Sequence, residues 1–227
     1  VDASGIAHIS YYDSSGENLK YAQAQITDPT PVWSIVTIDD TGSVGRWTSL
    51  ALDENNPAVS YTEKAVSGGE DSYSLKFAIY TGSSWTTTTV DAGEQKTGMD
   101  GTSLTFSFGK PYISYYDGVN EDLKIASLTD GKWFSTAVDT EGRVGQYSSI
   151  SADELGILHI AYWDNTVAPL RRQLKYATNA DSKGPAAGSI LINNSADITN
   201  SSEVTLNLTC NDGFGIGCWQ VKLSNEG

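Results

Sequence analysis

Short runs that alternate hydrophobic and polar residues fill most of the chain. Residues 57–63 (Pro-Ala-Val-Ser-Tyr-Thr-Glu) and 85–91 (Trp-Thr-Thr-Thr-Thr-Val-Asp) place successive side chains on opposite faces, as β-strands do. Glycine, asparagine and aspartate residues separate the runs, and these residue types favour turns. Long helix-forming runs are almost absent. The pattern predicts an all-β protein.

The runs recur with a period of about 50 residues, which is the length of known structural repeats. An Ile-Ser-Tyr-like unit lies at 9–11, 59–61, 113–115 and 160–162, and a Leu-Lys unit that ends in alanine lies at 19–22, 75–78, 123–126 and 174–177. After three of the copies, a run that begins with tryptophan ends at Asp39, Asp91 or Asp139. Four short strands per repeat, termed A to D in chain order, are typical of a β-propeller blade. The period therefore predicts a β-propeller.

The repeat count is uneven at the two ends. Residues 48–91 and 102–139 each hold four predicted strands, whereas the first copy lacks strand A and the last lacks strand D. We therefore expect two complete and two partial blades. Either the chain is a fragment of a longer polypeptide, or neighbouring chains supply the missing strands.

The composition changes after residue 178. Residues 179–188 are rich in small and polar residues, and they read as a linker. The following segment, 189–227, resembles the first half of a bacterial or archaeal extracellular Ig-like domain. The residues that carry this resemblance are Ile190, Ile192, Asn193, Ala196, Thr199, Asn200, Ser201, Val204, Thr205, Leu206, Leu208 and Asp212. A complete sandwich of this type needs about 100 residues, so half of it is expected here.

The repeats in 1–178 resemble the secreted propeller repeats of bacteria and archaea, which are loosely related to sialidase-type propellers. This resemblance implies an extracellular or cell-surface location. The Asp box of sialidases, S-x-D-x-G-x-T-W, is not in the sequence, and Arg171 and Arg172 are adjacent rather than spread over several blades. No catalytic residue is therefore assigned, and whether the protein is an enzyme stays open.

Charge and cysteine content narrow the choice of partners. The formal net charge of −14 disfavours nucleic acids and anionic membrane surfaces. No run reaches the roughly 18 apolar residues needed to span a bilayer, so membrane insertion is not expected. Cys210 and Cys218 flank a glycine-rich turn, which predicts a short disulfide loop and an oxidising compartment. Sequons at Asn193, Asn200 and Asn207 leave glycosylation open.

Acidic and basic residues recur at fixed repeat positions. Asp13, Glu63, Asp117 and Asp164 end strand B, and Lys20, Lys76, Lys124 and Lys175 lie in strand C. Because B and C form a hairpin, this spacing predicts one cross-strand ion pair per repeat. No cofactor is predicted, although Asp13, Asp117 and Asp164 are weak candidates for binding calcium.

Two histidines also share one position of strand B. His8 and His159 are replaced there by Ala58 and Tyr112 in the other copies, which favours a packing role. No Ser-His-Asp arrangement or nucleophile elbow accompanies them.

The copies differ most in their D–A and B–C loops, which open on one face of a propeller. The candidate ligand-binding residues are Arg46, Trp47, Asp100, Gln146, Tyr147, Trp163, Arg171 and Arg172. Aromatic and polar side chains on one face are what a sugar site needs, so we expect a carbohydrate or protein ligand. Packing of Trp47 and Tyr147 between blades is the alternative.

Three functions remain open from the sequence. The first is a non-catalytic extracellular binding or structural module. The second is the propeller portion of a secreted carbohydrate-active enzyme, which would show a pair of acids about 5–10 Å apart on the loop face. The third is an assembly subunit whose open blade edges are completed by strand exchange with neighbouring chains.

Overall fold

The structure is a computed structural model, and it describes residues 1–67, 69–92, 97–166, 173–180, 187–192 and 206–211. The chain divides into two compact units, Val1–Thr178 and Asn179–Gly227. Every regular element in the described ranges is a β-strand, and all strand pairs are antiparallel. The predicted all-β class is confirmed.

The first unit contains four sheets, numbered here in chain order. Sheet 1 comprises β1 (Ile6–Asp13), β2 (Asn18–Gln25) and β3 (Ser34–Asp39). Sheet 2 comprises β4 (Ser43–Asp53), β5 (Asn56–Ser67), β6 (Glu70–Tyr80) and β7 (Trp85–Asp91). Sheet 3 comprises β8 (Thr97–Ser107), β9 (Lys110–Asp117), β10 (Asp122–Thr129) and β11 (Lys132–Asp139). Sheet 4 comprises β12 (Val144–Ala152), β13 (Leu158–Asp164) and β14 (Gln173–Thr178).

Each sheet is a simple meander, in which every strand pairs with the next along the chain. Within the described residues, sheets 2 and 3 have four strands and sheets 1 and 4 have three. Sheets 2 and 3 end where the sequence predicted, at Asp91 and Asp139, and none of the sheets closes on itself.

The second unit contains one described sheet, formed by β15 (Ala187–Ile192) and β16 (Leu206–Asn211). β15 begins at Ala187, one residue before the predicted end of the linker at residue 188. Cys210 lies in β16, whereas Cys218 lies outside the described residues. The disulfide and the glycosylation sites therefore stay predictions.

The core of the first unit lies between consecutive sheets. One cluster joins sheets 1 and 2 through Leu19, Val44, Val59, Tyr61 and Ala78. A second joins sheets 2 and 3 through Ala58, Leu75, Phe77, Leu104, Ile113, Tyr115 and Ala126. A third joins sheet 3 to sheet 4 through Leu123, Val144, Ile150, Leu158, Ile160 and Tyr162. Sheets 2 and 3 thus each bury one face against the preceding sheet and the other against the following one.

Small residues of the second repeat strand, B, bring neighbouring sheets close together. The hydroxyl groups of Ser10 and Thr48 are 2.9 Å apart, those of Ser60 and Thr102 are 2.8 Å apart, and those of Ser114 and Ser148 are 2.9 Å apart. Each pair joins strand B of one sheet to strand A of the next. The hydroxyl pairs also satisfy polar groups between the sheets.

Candidate functional site

The first strands of sheets 2 and 4 begin earlier than the sequence predicted. Arg46, Trp47, Gln146 and Tyr147 were expected in D–A loops, but they lie within β4 and β12. Strand pairing shifts on both sides of Arg46 and on both sides of Gln146, which marks β-bulges. The loop assignment was therefore wrong for these four residues. Bulges re-aim side chains, and they are frequent next to binding sites.

The third sheet has the same feature in β8. Its pairing shifts between Thr97 and Thr102, so Asp100 also lies in a strand rather than in the predicted loop. β8 contacts both β4 and β12, so the three irregular segments are neighbours. We call Arg46, Trp47, Asp100, Gln146 and Tyr147 the bulge row.

The B–C connection of sheet 2 is a long hairpin. β5 and β6 stay paired as far as Ser67 and Glu70.

Three residues of the bulge row have left-handed backbone conformations. Their φ angles are 50° for Trp47, 70° for Asp100 and 52° for Tyr147. Such a conformation costs a residue with a Cβ atom about 1–2 kcal/mol, which is why glycine usually occupies it. The same strain therefore recurs on three adjacent sheets.

The two aromatic side chains of the row are exposed, and the backbone at both positions lies against sheet 3. Trp47 is 37% exposed and Tyr147 is 62% exposed. The Trp47 ring packs edge-on against Tyr73, with ring centroids 5.8 Å apart. The Trp47 carbonyl accepts a hydrogen bond of 2.9 Å from the Thr102 hydroxyl of sheet 3. The backbone of Tyr147 lies against Gly101, whose added Cβ would be 3.6 Å from the Tyr147 Cα atom.

A polar chain lies beside these rings. Gln146 is buried, and its Nε2 donates a hydrogen bond of 2.7 Å to the Asp100 carboxylate. The side-chain amide of Asn165 donates to Oε1 of Gln146. Sequence reasoning missed Asn165, and its position directly after the strand B acid Asp164 is the only signal for it. The Gln146 amide holds the carboxylate of Asp100, an acceptor on β8, and β8 contacts the strands that carry Trp47 and Tyr147.

The other predicted ligand residues are less closely tied to the row. The Arg46 guanidinium lies 4.4 Å from the centre of the Tyr12 ring and donates a hydrogen bond of 2.9 Å to its hydroxyl, so it joins sheet 2 to sheet 1. Trp163 is the register partner of Gln146 in β13. Arg171 and Arg172 lie outside the described residues.

The predicted cross-strand ion pairs are present in all four sheets. The nitrogen–oxygen distances are 2.7 Å for Lys20–Asp13, 3.5 Å for Lys76–Glu63, 2.7 Å for Lys124–Asp117 and 3.8 Å for Lys175–Asp164. The hydrogen bond from Lys20 lowers the pKa of Asp13. Among the described residues, no group of three or more His, Cys, Asp or Glu side chains is placed to hold a metal ion. Calcium binding by Asp13, Asp117 or Asp164 stays untested.

A second acidic network joins neighbouring sheets. The hydroxyls of Tyr61, Tyr115 and Tyr162 donate to Asp39, Asp91 and Asp139 of the preceding sheet, at 2.7, 2.6 and 2.7 Å. Lys76 also lies 3.1 Å from Asp39. The Asp39 and Asp139 carboxylates also accept turn hydrogen bonds from the N–H groups of Thr41 and Glu141, whereas no local sequence pattern indicates the tyrosine partners. This network belongs to the scaffold, because every interface between described sheets repeats it.

The two histidines make specific hydrogen bonds as well as packing contacts. Nε2 of His8 lies 3.2 Å from the Asp2 carboxylate, and Nδ1 contacts the Tyr21 hydroxyl. His159 repeats this arrangement with Asp153 and Tyr176.

The group of Asp2, His8 and Tyr21 is covered by a following sheet, sheet 2. In the described structure no sheet covers the group of Asp153, His159 and Tyr176. The first group borders a cavity of about 540 Å³ between sheets 1 and 2, at the opposite end of β4 from the bulge row. The further lining residues include Asn55, Asn56, Tyr80, Ser84 and Trp85. Sequence reasoning missed this cavity, because it depends on how two sheets diverge.

Comparison with known proteins adds no family to these observations. No protein-family model matches the chain, and no curated protein matches it. In the described part of the chain, no helix is long and apolar enough to cross a membrane. The bulge row and the faces of the sheets are therefore the features that bear on function.

Proposed function

We propose that residues 1–178 form blades of a β-propeller and that the protein is a non-catalytic, extracellular carbohydrate-binding module whose ligand lies on the bulge row. The meander order of each sheet and the face-to-face packing of consecutive sheets support the propeller. The antiparallel pair β15–β16 supports an Ig-like start for the second unit. The repeat resemblance and the cysteine pair in the tail support the location.

The observation that carries the binding proposal is the use of Trp47 and Tyr147 at left-handed positions. Glycine would adopt these backbone angles without a steric penalty, yet both positions carry large rings exposed to solvent. Strain of this kind collects at binding sites, where the rest of the structure enforces it. An exposed ring gives a sugar an apolar surface on which to lie.

The polar residues of the row can orient a bound ligand through hydrogen bonds. The Asp100 carboxylate accepts hydrogen bonds, and Gln146 occupies one of its oxygens. Sugar hydroxyls are donors that fit such an acceptor. A few oriented polar groups beside apolar surface are the usual composition of a small-molecule site.

The two other hypotheses rank behind this one. A glycoside hydrolase needs two cooperating carboxyl groups, whereas the side-chain partner of Asp100 in the row is the amide of Gln146. Assembly through strand exchange concerns the sheet edges, and the bulge row does not bear on it.

The test is a glycan array screened with the purified chain, followed by calorimetric titration of the glycans that bind. Trp47→Ala and Tyr147→Ala should each weaken binding at least about tenfold, because each removes a ring that the ligand covers. Phe108→Ala is the matched control. Phe108 is also an exposed aromatic residue at positive φ, but it lies in the β8–β9 turn, at the other end of β8.

The control should bind as well as the unmodified chain, and all variants should melt within a few degrees of it. Binding that survives both ring deletions, or an array on which no glycan is retained, would refute the proposal.

A further inference from the structure

Among the described residues of the first unit, two sheet faces have no sheet packed against them, and both carry exposed apolar side chains. Leu174 of sheet 4 is 77% exposed, although its counterparts Leu19, Leu75 and Leu123 are fully buried. Tyr176, two residues further along β14, is also exposed. We call Leu174 and Tyr176 the outgoing face, because their counterparts in sheets 1 to 3 point toward the following sheet.

The other uncovered face is on sheet 1. Ile9 is 45% exposed, whereas its counterparts Val59 and Ile113 are fully buried against the preceding sheet. Trp33, just before β3, is exposed as well. We call Ile9 and Trp33 the incoming face.

The internal interfaces show what covers an outgoing face. The ring of Tyr21 receives Trp85 of the next sheet edge-on, with centroids 5.2 Å apart. Phe77 receives Trp133 in the same way, at 5.1 Å. Tyr176 occupies the corresponding position of sheet 4, and the described structure gives its ring only His159 of its own sheet. In the internal interfaces, the ring at this position contacts a tryptophan of the following sheet. In the described structure Tyr176 lacks such a tryptophan.

The incoming face of sheet 1 carries that tryptophan. Trp33 follows β2 as Trp85 follows β6 and as Trp133 follows β10. The aliphatic Ile9 corresponds to Val59, which shares a buried cluster with Leu19 of the preceding sheet. The two uncovered faces of this chain are thus the two halves of one interface type. Its leucine–aliphatic part occurs three times inside the chain, and its tryptophan contact occurs twice.

We propose that the outgoing face of one copy packs against the incoming face of a second copy, head to tail. The contact repeats the internal one, with Ile9 against Leu174 and Trp33 against Tyr176. Head-to-tail contacts form rings when the rotations close, and two copies would place eight sheets in the ring. Eight is within the range of known propellers, which have about four to eight blades. This proposal does not depend on carbohydrate binding.

Light scattering coupled to size exclusion, over a concentration series, tests the proposal. The unmodified chain should reach twice its mass of 24.3 kDa. Because each chain carries a net charge of −14, association should strengthen as added salt screens the repulsion. A chain that stays at 24.3 kDa at every concentration and salt level would overturn the proposal, and so would a larger, open-ended series of species.

Single substitutions then identify the faces. Leu174→Glu and Ile9→Glu should each give single copies, because each places a charge in an apolar contact. Val66→Glu is the matched control, since Val66 is an exposed aliphatic residue in the β5–β6 hairpin, outside both faces. A thermal melt shows that each variant is folded. The proposal fails if Leu174→Glu still associates or if the control dissociates.

Mixing the two variants tests the head-to-tail geometry. A Leu174→Glu chain keeps its incoming face, and an Ile9→Glu chain keeps its outgoing face. An equimolar mixture should therefore recover a two-copy species through one intact contact, although each variant alone does not. If the mixture stays at the single-copy mass, these two faces do not meet each other. Glycan binding is scored separately, so the two proposals can fail independently.

Discussion

At the scale of single residues, the contact between Tyr61 and Asp39 shows how polar groups are accommodated between sheets. Burial raises the pKa of Tyr61, and the hydrogen bond to Asp39 adds to this effect. Burial alone would raise the pKa of Asp39, but hydrogen bonds from Tyr61, the Thr41 N–H and Lys76 lower it below its ordinary value. The proton therefore stays on the hydroxyl, and the charge stays on the carboxylate.

Removal of this hydroxyl tests its contribution to stability. Tyr61→Phe leaves a mostly buried carboxylate with one donor fewer, so the free energy of unfolding should fall by about 1–3 kcal/mol. Tyr80→Phe is the control, because the Tyr80 hydroxyl bonds to the Gly82 carbonyl at the surface. Its effect should stay within about 0.5 kcal/mol. If urea unfolding gives the same loss of unfolding free energy for both variants, the hydrogen bond between Tyr61 and Asp39 stabilises the fold no more than a surface hydrogen bond does.

At the scale of strands, the bulges of β4 and β12 depend on glycine. Gly45 has a φ of 100°, and a Cβ atom added there would lie 2.7 Å from the Leu19 backbone of sheet 1. Gly145 repeats this approach to Leu123. Glycine is needed here because no other residue lets two backbones come this close.

The substitution Gly45→Ala should therefore lower the free energy of unfolding by more than the cost of the left-handed backbone conformation alone. Gly82→Ala is the matched control, with a φ of 86° and nothing within 4 Å of the added Cβ. We expect about 1–2 kcal/mol at Gly82 from the left-handed conformation, and a further 1–3 kcal/mol or so at Gly45 from overpacking. Urea unfolding measures both. A Gly45→Ala loss no larger than that of Gly82→Ala would mean that β4 can move away from sheet 1.

The strands were predictable from the sequence, and much of the site was not. Alternation in runs such as 85–91 reports which face of a strand is buried, and the period reports where each sheet ends. The bulge at Trp47 depends instead on the neighbouring sheet, which fixes where pairing must shift. The bond between Tyr61 and Asp39 joins residues of different repeats, so no local pattern contains it. The sequence singled out Trp47 as a candidate because the copies differ there, but it left packing between blades open.

At the scale of the whole molecule, the repeated tyrosine–aspartate contacts predict a stability plateau in pH. The folded pKa of Asp39 and Asp139 is lowered, so their contribution is present above the unfolded value of about 3.9 and is lost as pH falls through the folded value. The folded pKa of Tyr61, Tyr115 and Tyr162 is raised, chiefly by burial. Their contribution is present below about pH 10 and is lost as pH rises toward the folded values.

Thermal melts from about pH 2 to 12 measure both limbs. The melting temperature should fall on each side of the plateau. Replacement of all three tyrosines by phenylalanine should lower the plateau and flatten the alkaline limb relative to the unmodified chain. An alkaline limb that keeps its slope in the triple variant would show that other groups, such as the lysines, control it.

The hydroxyl pairs between sheets have a consequence for how such a gene can lengthen. A repeat carries one half of the pair in strand B, as at Ser60, and the other half in strand A, as at Thr48. A copy inserted by unequal crossing-over therefore brings a matching partner for the repeat before it and another for the repeat after it. The new protein needs no compensating mutation at either junction. Selection can then act at once on the bulge of the added copy, which is free to acquire a different side chain.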